Sequence, residues 1–184
     1  MILIFNRCIE EAHYFAKIAL KQGGNAIDAT LGNGNDALFL SKYAKLVYAF
    51  DIQKKAVETS RKLLSEHCVE NVKIILDSHE AMLNYIKAPV HVIMFNLGYL
   101  PNSDKSIKTQ ASSTINALSS ALKIIETEGL IIVTLYRGHP EGEKEALEVE
   151  NFLLGINPKT FTVKKYQVLN RYQAPYNIVI HRHK

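Results

Sequence analysis

The sequence predicts an α/β fold: a mostly parallel, seven-stranded sheet with helices on both faces and an antiparallel hairpin at its C-terminal end. Three observations lead to this fold class. Short apolar or β-branched runs alternate with stretches in which apolar residues recur at helical spacing. A glycine-containing turn, D-A-T-L-G-N-G-N-D, follows the first run at residues 28–36. Only N-R-Y-Q-A-P separates the last two runs, which is too short for a parallel crossover.

The first predicted element is a helix from Ile9 to Leu20. Its apolar residues recur every three to four positions, and two glutamates in its first turn complement the positive end of the helix dipole. A Gly-Gly pair at 23–24 ends the pattern. His13 falls inside it, so we expect this residue to be a structural histidine.

Strands and helices alternate in the rest of the chain. The predicted strands are Asn25–Thr30, Leu46–Asp51, Val72–Asp77, Val90–Asn96, Leu130–Tyr136, Phe161–Leu169 and Tyr176–His181. The predicted helices are Asp36–Tyr43, Gln53–Cys68, His79–Ile86, Ser112–Thr127 and Glu141–Leu154. Right-handed crossovers between parallel strands place such helices on both faces of the sheet. The longest connection, Leu97 to Ala111, is a candidate functional loop.

Length and composition favour one domain. A chain of 184 residues with 47% hydrophobic side chains fits one core, so we expect residues 1–184 to form a single domain, with a helical region at 1–24 and the sheet at 25–184. It contains no run of about 18 apolar residues and no secretory signal pattern, which predicts a cytoplasmic protein without a membrane contact. Cys8 and Cys68 lack zinc-ligand spacing, and we expect no metal site.

Basic residues are concentrated at the C-terminal end. Residues 151–184 contain six lysine and arginine side chains and no acidic residue, although the net charge of the chain is only +4. Tyrosines at 166, 172 and 176 lie among these cations. A positive surface that carries aromatic rings suits a polyanion with exposed bases, and solvated strand ends would produce the same pattern.

The glycine turn has two interpretations. Gly32 and Gly34 allow a tight turn that brings backbone N–H groups close to a ligand, and Asp36 begins the next helix. With Ala37 the turn also satisfies the dinucleotide fingerprint G-x-G-x-x-A. Asp51, at the end of the second strand, accepts hydrogen bonds from ribose hydroxyls in either a dinucleotide or S-adenosylmethionine.

The ends of the third and fourth strands favour methyl transfer to an amine. Asp77, Ser78 and His79 are placed to reach an adenine edge, and Asn96 faces the reactive end of the cofactor. The Asn96 side chain offers a carbonyl that holds an amine hydrogen, and Tyr99 offers a ring for stacking. Hydride transfer would need a Tyr-Lys pair or a histidine at the reacting carbon. The sequence shows no such constellation, and His79 and His139 stay open as candidates.

Several motifs together resemble one family. The stretches D-A-T-L-G-N-G-N-D at 28–36, Y-A-F-D-I-Q at 48–53, D-S-H-E at 77–80, F-N-L-G-Y-L-P at 95–101, D-K-S-I at 104–107 and G-H-P-E-G at 138–142 occur in the order found in the bacterial MnmM (YtqB-like) class I methyltransferases. The resemblance covers the whole chain. The most specific parts of it are F-N-L-G-Y-L-P and G-H-P-E-G.

This resemblance implies a Rossmann-like class I methyltransferase domain and a reaction. The expected cofactor is S-adenosylmethionine, and the expected substrate is the amine of 5-aminomethyl-2-thiouridine at the tRNA wobble position, presented on the anticodon stem-loop. A homodimer is also expected from the resemblance alone. The resemblance implies that Asn33, Asn35, Asp51, Gln53, Ser78 and His79 bind the cofactor. The glycine turn itself adds Asp28, Gly32, Gly34 and Asp36 to the expected cofactor-binding residues.

The expected catalytic residues are Asn96, Tyr99, His139 and Glu141. An alkylammonium must lose its proton before it attacks a methyl group, and an amide is not a base, so His139 or Glu141 would accept that proton. Glu141 equally suits the first turn of the helix that follows. Other hypotheses stay open at this point: methylation of rRNA or of a small-molecule amine, an NAD-dependent oxidoreductase, and a non-catalytic RNA-binding protein.

Overall fold

Seven strands form one sheet in the computed structural model, which describes residues 7–98, 111–138 and 140–183. They are β1 (Asn25–Asp28), β2 (Leu46–Asp51), β3 (Val72–Leu76), β4 (Val90–Leu97), β5 (Ile125–Leu135), β6 (Phe161–Tyr166) and β7 (Tyr176–Arg182). The strand order is β3-β2-β1-β4-β5-β7-β6. Strands β1 to β5 are parallel, and β7 pairs antiparallel with both β5 and β6. The predicted fold class, including the C-terminal hairpin, is confirmed.

Helices cover both faces of this sheet. They are α1 (Cys8–Ala19), α2 (Asn35–Ser41), α3 (Lys54–Glu66), α4 (Met82–Tyr85), α5 (Ala111–Ile124) and α6 (Pro140–Leu154), with a 3-10 turn at His79–Ala81 directly before α4. The alternation of side chains along β4 divides the core. Val92 and Met94 pack with α1 and α2 on one face, whereas Ile93 and Phe95 pack with α4, α5 and α6 on the other.

The chain reverses its winding direction between β1 and β4. From β1 it passes to β2 and β3 on one side, and from β4 it passes to β5 on the other, although β1 and β4 are neighbours in the sheet. Their carboxyl ends therefore separate as the chain leaves in opposite directions, which opens a crevice at this edge. Asp28 and Met94, paired in the sheet, mark its base.

Four predicted elements differ from the structure in extent or type. Strand β5 begins at Ile125 instead of Leu130, because the buried Ile125 pairs with Val90 before a bulge shifts the register to Val92 and Leu130. The helix predicted to reach Thr127 accordingly ends at residue 124. The helix predicted at 79–86 is a 3-10 turn followed by one α-helical turn, and β6 ends three residues early.

Neither a membrane span nor a metal cluster is found within the described ranges. None of the helices there has both the length and the apolar character needed to cross a bilayer. The same ranges hold no group of three or more histidine, cysteine, aspartate or glutamate side chains arranged to bind a metal ion. Most of the predicted functional loop, Leu97 to Ala111, lies outside the described residues.

Candidate functional site

A cavity of about 800 Å³ occupies the crevice at the carboxyl ends of the parallel strands. Its walls come from the turn after β1, the ends of β2, β3 and β4, the segment after β5, and one side of α1. The predicted site residues that line it are Gly32, Asn33, Asn35, Asp36, Asp51, Gln53, Ser78, His79 and Asn96. The fold thus brings together residues that lie up to 64 positions apart in the sequence, such as Gly32 and Asn96.

The glycine turn is held in a conformation that only glycine adopts easily. Gly32 and Gly34 have φ values of +50° and +85°. A Cβ on Gly34 would come within 2.9 Å of the Ser60 side chain on α3. The Ser60 hydroxyl donates a 2.9 Å hydrogen bond to the Gly32 carbonyl. Gly34 therefore does not line the cavity but packs beneath it and fixes the path of the turn.

Asp51 connects this turn to the start of α3. One carboxylate oxygen accepts a 2.9 Å hydrogen bond from the Gly32 N–H, and the other accepts a 2.8 Å bond from the Gln53 N–H. A carboxylate has about four lone-pair directions, so each oxygen can still accept a ligand hydroxyl. Asp51 thus fixes the backbone just before α3 and also lies on the cavity wall.

Asp28 is fully buried under the cavity floor. One oxygen accepts a 3.1 Å hydrogen bond from the Thr30 N–H, and the other has no hydrogen-bond partner among the described residues. Burial raises the pKa of this carboxyl well above its usual value, and the nearby charges of Asp36 and Asp51 raise it further. The backbone N–H groups of Thr30 and Ala37 offset part of this rise in pKa.

The segment after β3 presents a neutral histidine. His79 Nδ1 lies 2.9 Å from the Ala29 carbonyl, which can only accept, so Nδ1 carries the hydrogen and Nε2 is the acceptor. Burial lowers the pKa of His79, which keeps the ring uncharged. Asp77 is occupied by the backbone of Ser78 and by the Tyr85 hydroxyl. The wall here offers a ring acceptor and the Ser78 hydroxyl.

Asn96 is oriented by a chain of hydrogen bonds. Its Nδ2 donates a 3.1 Å bond to one oxygen of Asp36, and the other oxygen of Asp36 lies 2.7 Å from His13 Nε2. Because a carboxylate only accepts, the amide nitrogen must face Asp36 and the amide carbonyl is left for another donor. The Asn96 backbone N–H donates to the Thr30 hydroxyl at 2.8 Å, which ties the ends of β4 and β1 together.

Tyr136, directly after β5, lies beside Asn96. Burial raises the pKa of its hydroxyl, the charges of nearby groups add to the effect, and a hydrogen bond with Asn96 offsets part of it. The phenol therefore stays protonated at neutral pH. Its ring covers Gly98, where an added Cβ would lie 3.5 Å from the ring.

The other predicted catalytic residues do not line this cavity or are not described. Tyr99 and His139 lie outside the described residues. Glu141 is exposed in the first turn of α6 and is not among the residues that line the cavity. Its position agrees with the alternative interpretation, an acidic residue that complements the helix dipole.

Three of the residues that the sequence interpretation missed contact Asn96 or its partner Asp36. His13, expected to be structural, lines the cavity with its ring stacked on Phe39 at 3.8 Å. Thr30 and Tyr136 also contact Asn96. The one sequence signal for a role of His13 in the site was its polar side chain on the sheet-facing side of α1. The contacts join residues 23, 66 and 40 positions apart, which no local pattern reveals.

Comparisons with known proteins agree with a methyltransferase site. A family model described as "Putative rRNA methylase" matches residues 47–182. A protein of Arabidopsis thaliana named tRNA (mnm5s2U34)-methyltransferase, chloroplastic, is 38% identical over 183 residues, which cover 92% of this chain and 67% of the relative.

Two solved structures are similar over nearly their whole length. The crystal structure of a "putative rRNA-methylase" from Clostridium thermocellum has a TM-score of 0.94 and 37% identity and covers 98% of this chain and 100% of the other. The structure of a "putative methyltransferase" from Streptococcus mutans, solved in complex with SAH, has a TM-score of 0.91 and 39% identity and covers 97% and 99%.

Proposed function

The chain belongs to the family described as "Putative rRNA methylase", and from this membership we propose that it is an S-adenosylmethionine-dependent methyltransferase of tRNA. Its substrate is the exocyclic amine of 5-aminomethyl-2-thiouridine at wobble position 34, and its product is 5-methylaminomethyl-2-thiouridine. The name of the plant relative supports this substrate, and the SAH complex of the bacterial neighbour supports this cofactor.

The acidic floor of the cavity is the observation that carries the choice of cofactor. Asp36 and Asp51 line the cavity on the side of the glycine turn. S-adenosylmethionine carries a sulfonium and an ammonium, both of which these carboxylates attract. A dinucleotide would bring an anionic pyrophosphate to the same floor, where the carboxylates repel it. This argues against the NAD-dependent oxidoreductase.

The cavity walls divide into parts for the cofactor. Asp51 and Gln53 bind the ribose, Ser78 and the Nε2 acceptor of His79 bind the adenine edge, and Asn33 and Asn35 flank the turn beneath the amino-acid part. When bound, the cofactor supplies a methyl group on a positively charged sulfur. The remaining residues bind, orient and deprotonate the substrate amine.

Asn96 aims the amine in this proposal. Its carbonyl accepts a hydrogen from the neutral amine, so the nitrogen lone pair points into the cavity, and Asp36 prevents the amide from turning over. Tyr99 stacks on the thiouracil ring. The proton of the alkylammonium passes to His139 in preference to Glu141, because Glu141 is exposed and away from the cavity wall.

The deciding experiment is mass spectrometry of tRNA nucleosides. The protein is incubated with S-adenosylmethionine and tRNA that carries the unmethylated aminomethyl group, with rRNA as a parallel substrate because the family description names it. We expect 5-aminomethyl-2-thiouridine to gain one methyl group and rRNA to gain none. A methyl group found on rRNA alone would replace the proposed substrate, and calorimetry showing NAD binding without a response to S-adenosylhomocysteine would remove the proposed cofactor.

Two variants separate catalysis from cofactor binding. Asn96→Ala should lower kcat by about 100-fold and change the affinity for S-adenosylhomocysteine by less than about threefold, because the amide acts on the amine. Asp51→Ala should lower the affinity for S-adenosylhomocysteine by about tenfold or more. It removes a ribose acceptor and leaves the Gly32 and Gln53 N–H groups without their hydrogen-bond acceptor. Equal losses of both quantities in the two variants would contradict the assignment.

The remaining parts of the proposal concern partners and location. The RNA element recognised is the anticodon stem-loop. A competition assay with an isolated stem-loop of about 17 nucleotides tests this directly. We also propose a homodimer, from the family resemblance, and a cytoplasmic location, as the sequence predicts. Sedimentation and cell fractionation measure them.

A further inference from the structure

A second cavity, of about 610 Å³, opens beside the candidate active site. It lies between the start of α1 and the connection from β6 to β7. Arg7, Ile9 and Tyr136 line both cavities, so the two are neighbours that share a wall. The other lining residues are Cys8, Glu11, Lys165, Tyr166, Gln167, Val168, Arg171, Ala174 and Pro175.

The charged side chains of this second cavity are mostly cationic, and two of the cations are available to a ligand. Lys165 is held by Glu150 at 2.7 Å and lies 4.2 Å from the centre of the Tyr176 ring. Arg7 only approaches Glu10, at 3.9 Å and with 77% of its side chain exposed. Arg171 is exposed and forms no ion pair within the described part of the chain. An anionic ligand would meet both arginines with little competition.

The acidic and thiol groups of the cavity do not cancel this charge. Glu11 is the acidic residue in the lining, and one of its oxygens accepts a 2.9 Å bond from Asn177. Burial raises the pKa of Cys8 to about 12, with a further contribution from Glu11, so the thiol is uncharged at neutral pH. The cavity therefore keeps a positive balance.

Aromatic and apolar surface surrounds the cations. Tyr166 is fixed by Phe15, with ring centres 4.8 Å apart, and Tyr136 stands at the shared wall. On the β6–β7 connection, Leu169 is 95% exposed and Tyr172 is 93% exposed. Cations interleaved with open rings are the surface that binds single-stranded nucleic acid, because arginine holds the phosphates while the rings stack on bases.

We propose that the second cavity binds the nucleotide adjacent to the one that is methylated. The ligand class is a single-stranded RNA nucleotide, with its phosphate at Arg171 and Arg7 and its base against Tyr166. The shared wall sets the two subsites one nucleotide apart, and Tyr136 stands between the two bases. This inference rests on the proposed function for the identity of the RNA, but its own evidence is the cavity, its charge and its position.

The test measures RNA binding in a charge-reversal variant and a matched control. Arg171→Glu changes a residue that lines the cavity, and Lys164→Glu makes the same change in charge on the neighbouring strand, at an exposed residue that lines neither cavity. The probe is a fluorescent RNA of about seven nucleotides, the length of such a loop, with the anticodon-loop sequence. Its binding is measured by fluorescence anisotropy at several salt concentrations. Calorimetry with S-adenosylhomocysteine and thermal melting report on the cofactor cavity and on folding.

We expect Arg171→Glu to weaken the RNA about tenfold or more and to reduce the slope of log affinity against log salt by about one, because one phosphate contact is lost. S-adenosylhomocysteine affinity and the melting temperature should match the wild type. Lys164→Glu should lower the affinity for RNA by less than about threefold, because it changes only the electrostatic potential at a distance from the bound RNA.

The other outcomes each decide something. Wild-type RNA affinity in Arg171→Glu, or equal losses in both variants, would overturn the subsite, even if the wild type methylates tRNA. A specific loss in Arg171→Glu without any methyl gain on tRNA would keep the subsite and remove the proposed function. No RNA binding by the wild type would overturn the subsite. A lower sedimentation mass in Arg171→Glu with unchanged RNA affinity would assign this surface to a contact between two copies instead.

Discussion

At the scale of single residues, the orientation of one amide depends on a carboxylate and a histidine. Asp36 accepts from Asn96 on one oxygen and contacts His13 Nε2 on the other. The Asp36 side chain is only 8% exposed, so its charge would be costly without these two donors. His13 therefore acts on the substrate indirectly, by holding the carboxylate that holds the amide.

Replacing His13 tests this relay. His13→Ala should lower kcat by about tenfold or more, because loss of one donor frees Asp36 to move and lets the Asn96 amide turn. S-adenosylhomocysteine affinity should change by less than about threefold, since the adenine and ribose contacts lie elsewhere. Steady-state kinetics with tRNA and calorimetry measure the two quantities.

The control for this relay is His13→Gln, which keeps an N–H donor of similar reach. It should recover most of the activity that His13→Ala loses, whereas a role in packing alone, on Phe39, would leave both variants equally impaired. Full activity in His13→Ala would show that Asp36 needs no second donor.

The residues of the site were predictable in part, for a physical reason. Asp51, His79 and Asn96 stand at the ends of strands, and the ends of parallel strands meet at one edge, so strand positions alone group them. His13 and Tyr136 come from elements that reach the cavity from the side, and their contact with Asn96 and its partner depends on how α1 and the end of β5 pack. The spacing of residues in the sequence does not predict that packing.

At the scale of elements, the turn between β1 and α2 depends on glycine at one position. Gly34 combines a φ of +85° with a close approach to Ser60 on α3. Any Cβ at this position would both strain the backbone and push α3 away from the turn. The Gly32 carbonyl would then lose its bond from the Ser60 hydroxyl.

Gly34→Ala should reduce the free energy of unfolding by about 2–4 kcal/mol, the sum of the left-handed backbone cost and the overlap with Ser60. Denaturant titration measures the loss. Gly138→Ala is the matched control, because an added Cβ there meets none of the described residues within 4 Å, and it should cost less than about 0.5 kcal/mol. The loss from Gly34→Ala should be smaller when both proteins carry Ser60→Gly, which removes the overlap and has its own cost from the lost hydrogen bond and the glycine in α3. Equal losses with and without Ser60→Gly would assign the whole effect of Gly34→Ala to the backbone.

Most elements were predictable from local pattern, and the errors have one cause. Strands such as β2 and β4 are continuous apolar runs buried on both faces, which is why the pattern found them within a residue or two. The start of β5 was missed because E-T-E-G after Ile125 looks like the end of a helix. Pairing with Val90 keeps the segment in the sheet as a bulge, and a partner strand is tertiary information.

At the scale of the whole molecule, stability should depend on pH through His79. Its pKa is lowered in the folded protein by burial, so the unfolded chain binds a proton more readily. The stability that neutral His79 contributes is therefore fully present above its unfolded pKa, about 6.5, and is lost as pH falls below that value.

The measurement is the free energy of unfolding from pH 7.5 to 5 for the wild type and for His79→Gln. The difference between the two should shrink as pH falls, because glutamine does not titrate and other groups, including Asp28, contribute equally to both. A constant difference would show that His79 titrates normally in the folded state. A single transition in both proteins would also support our proposal that residues 1–184 fold as one domain.

The position of β7 between β5 and β6 bears on the order in which the protein matures during synthesis. Strand β6 emerges from the ribosome before β7, yet its neighbour in the sheet is β7. Until β7 inserts, β6 has no partner strand in the sheet, and Asn177 cannot reach the start of α1. The strands that form the candidate site, β1 to β5, thus emerge before β7, so the surface that carries Arg171 is completed after the cofactor cavity.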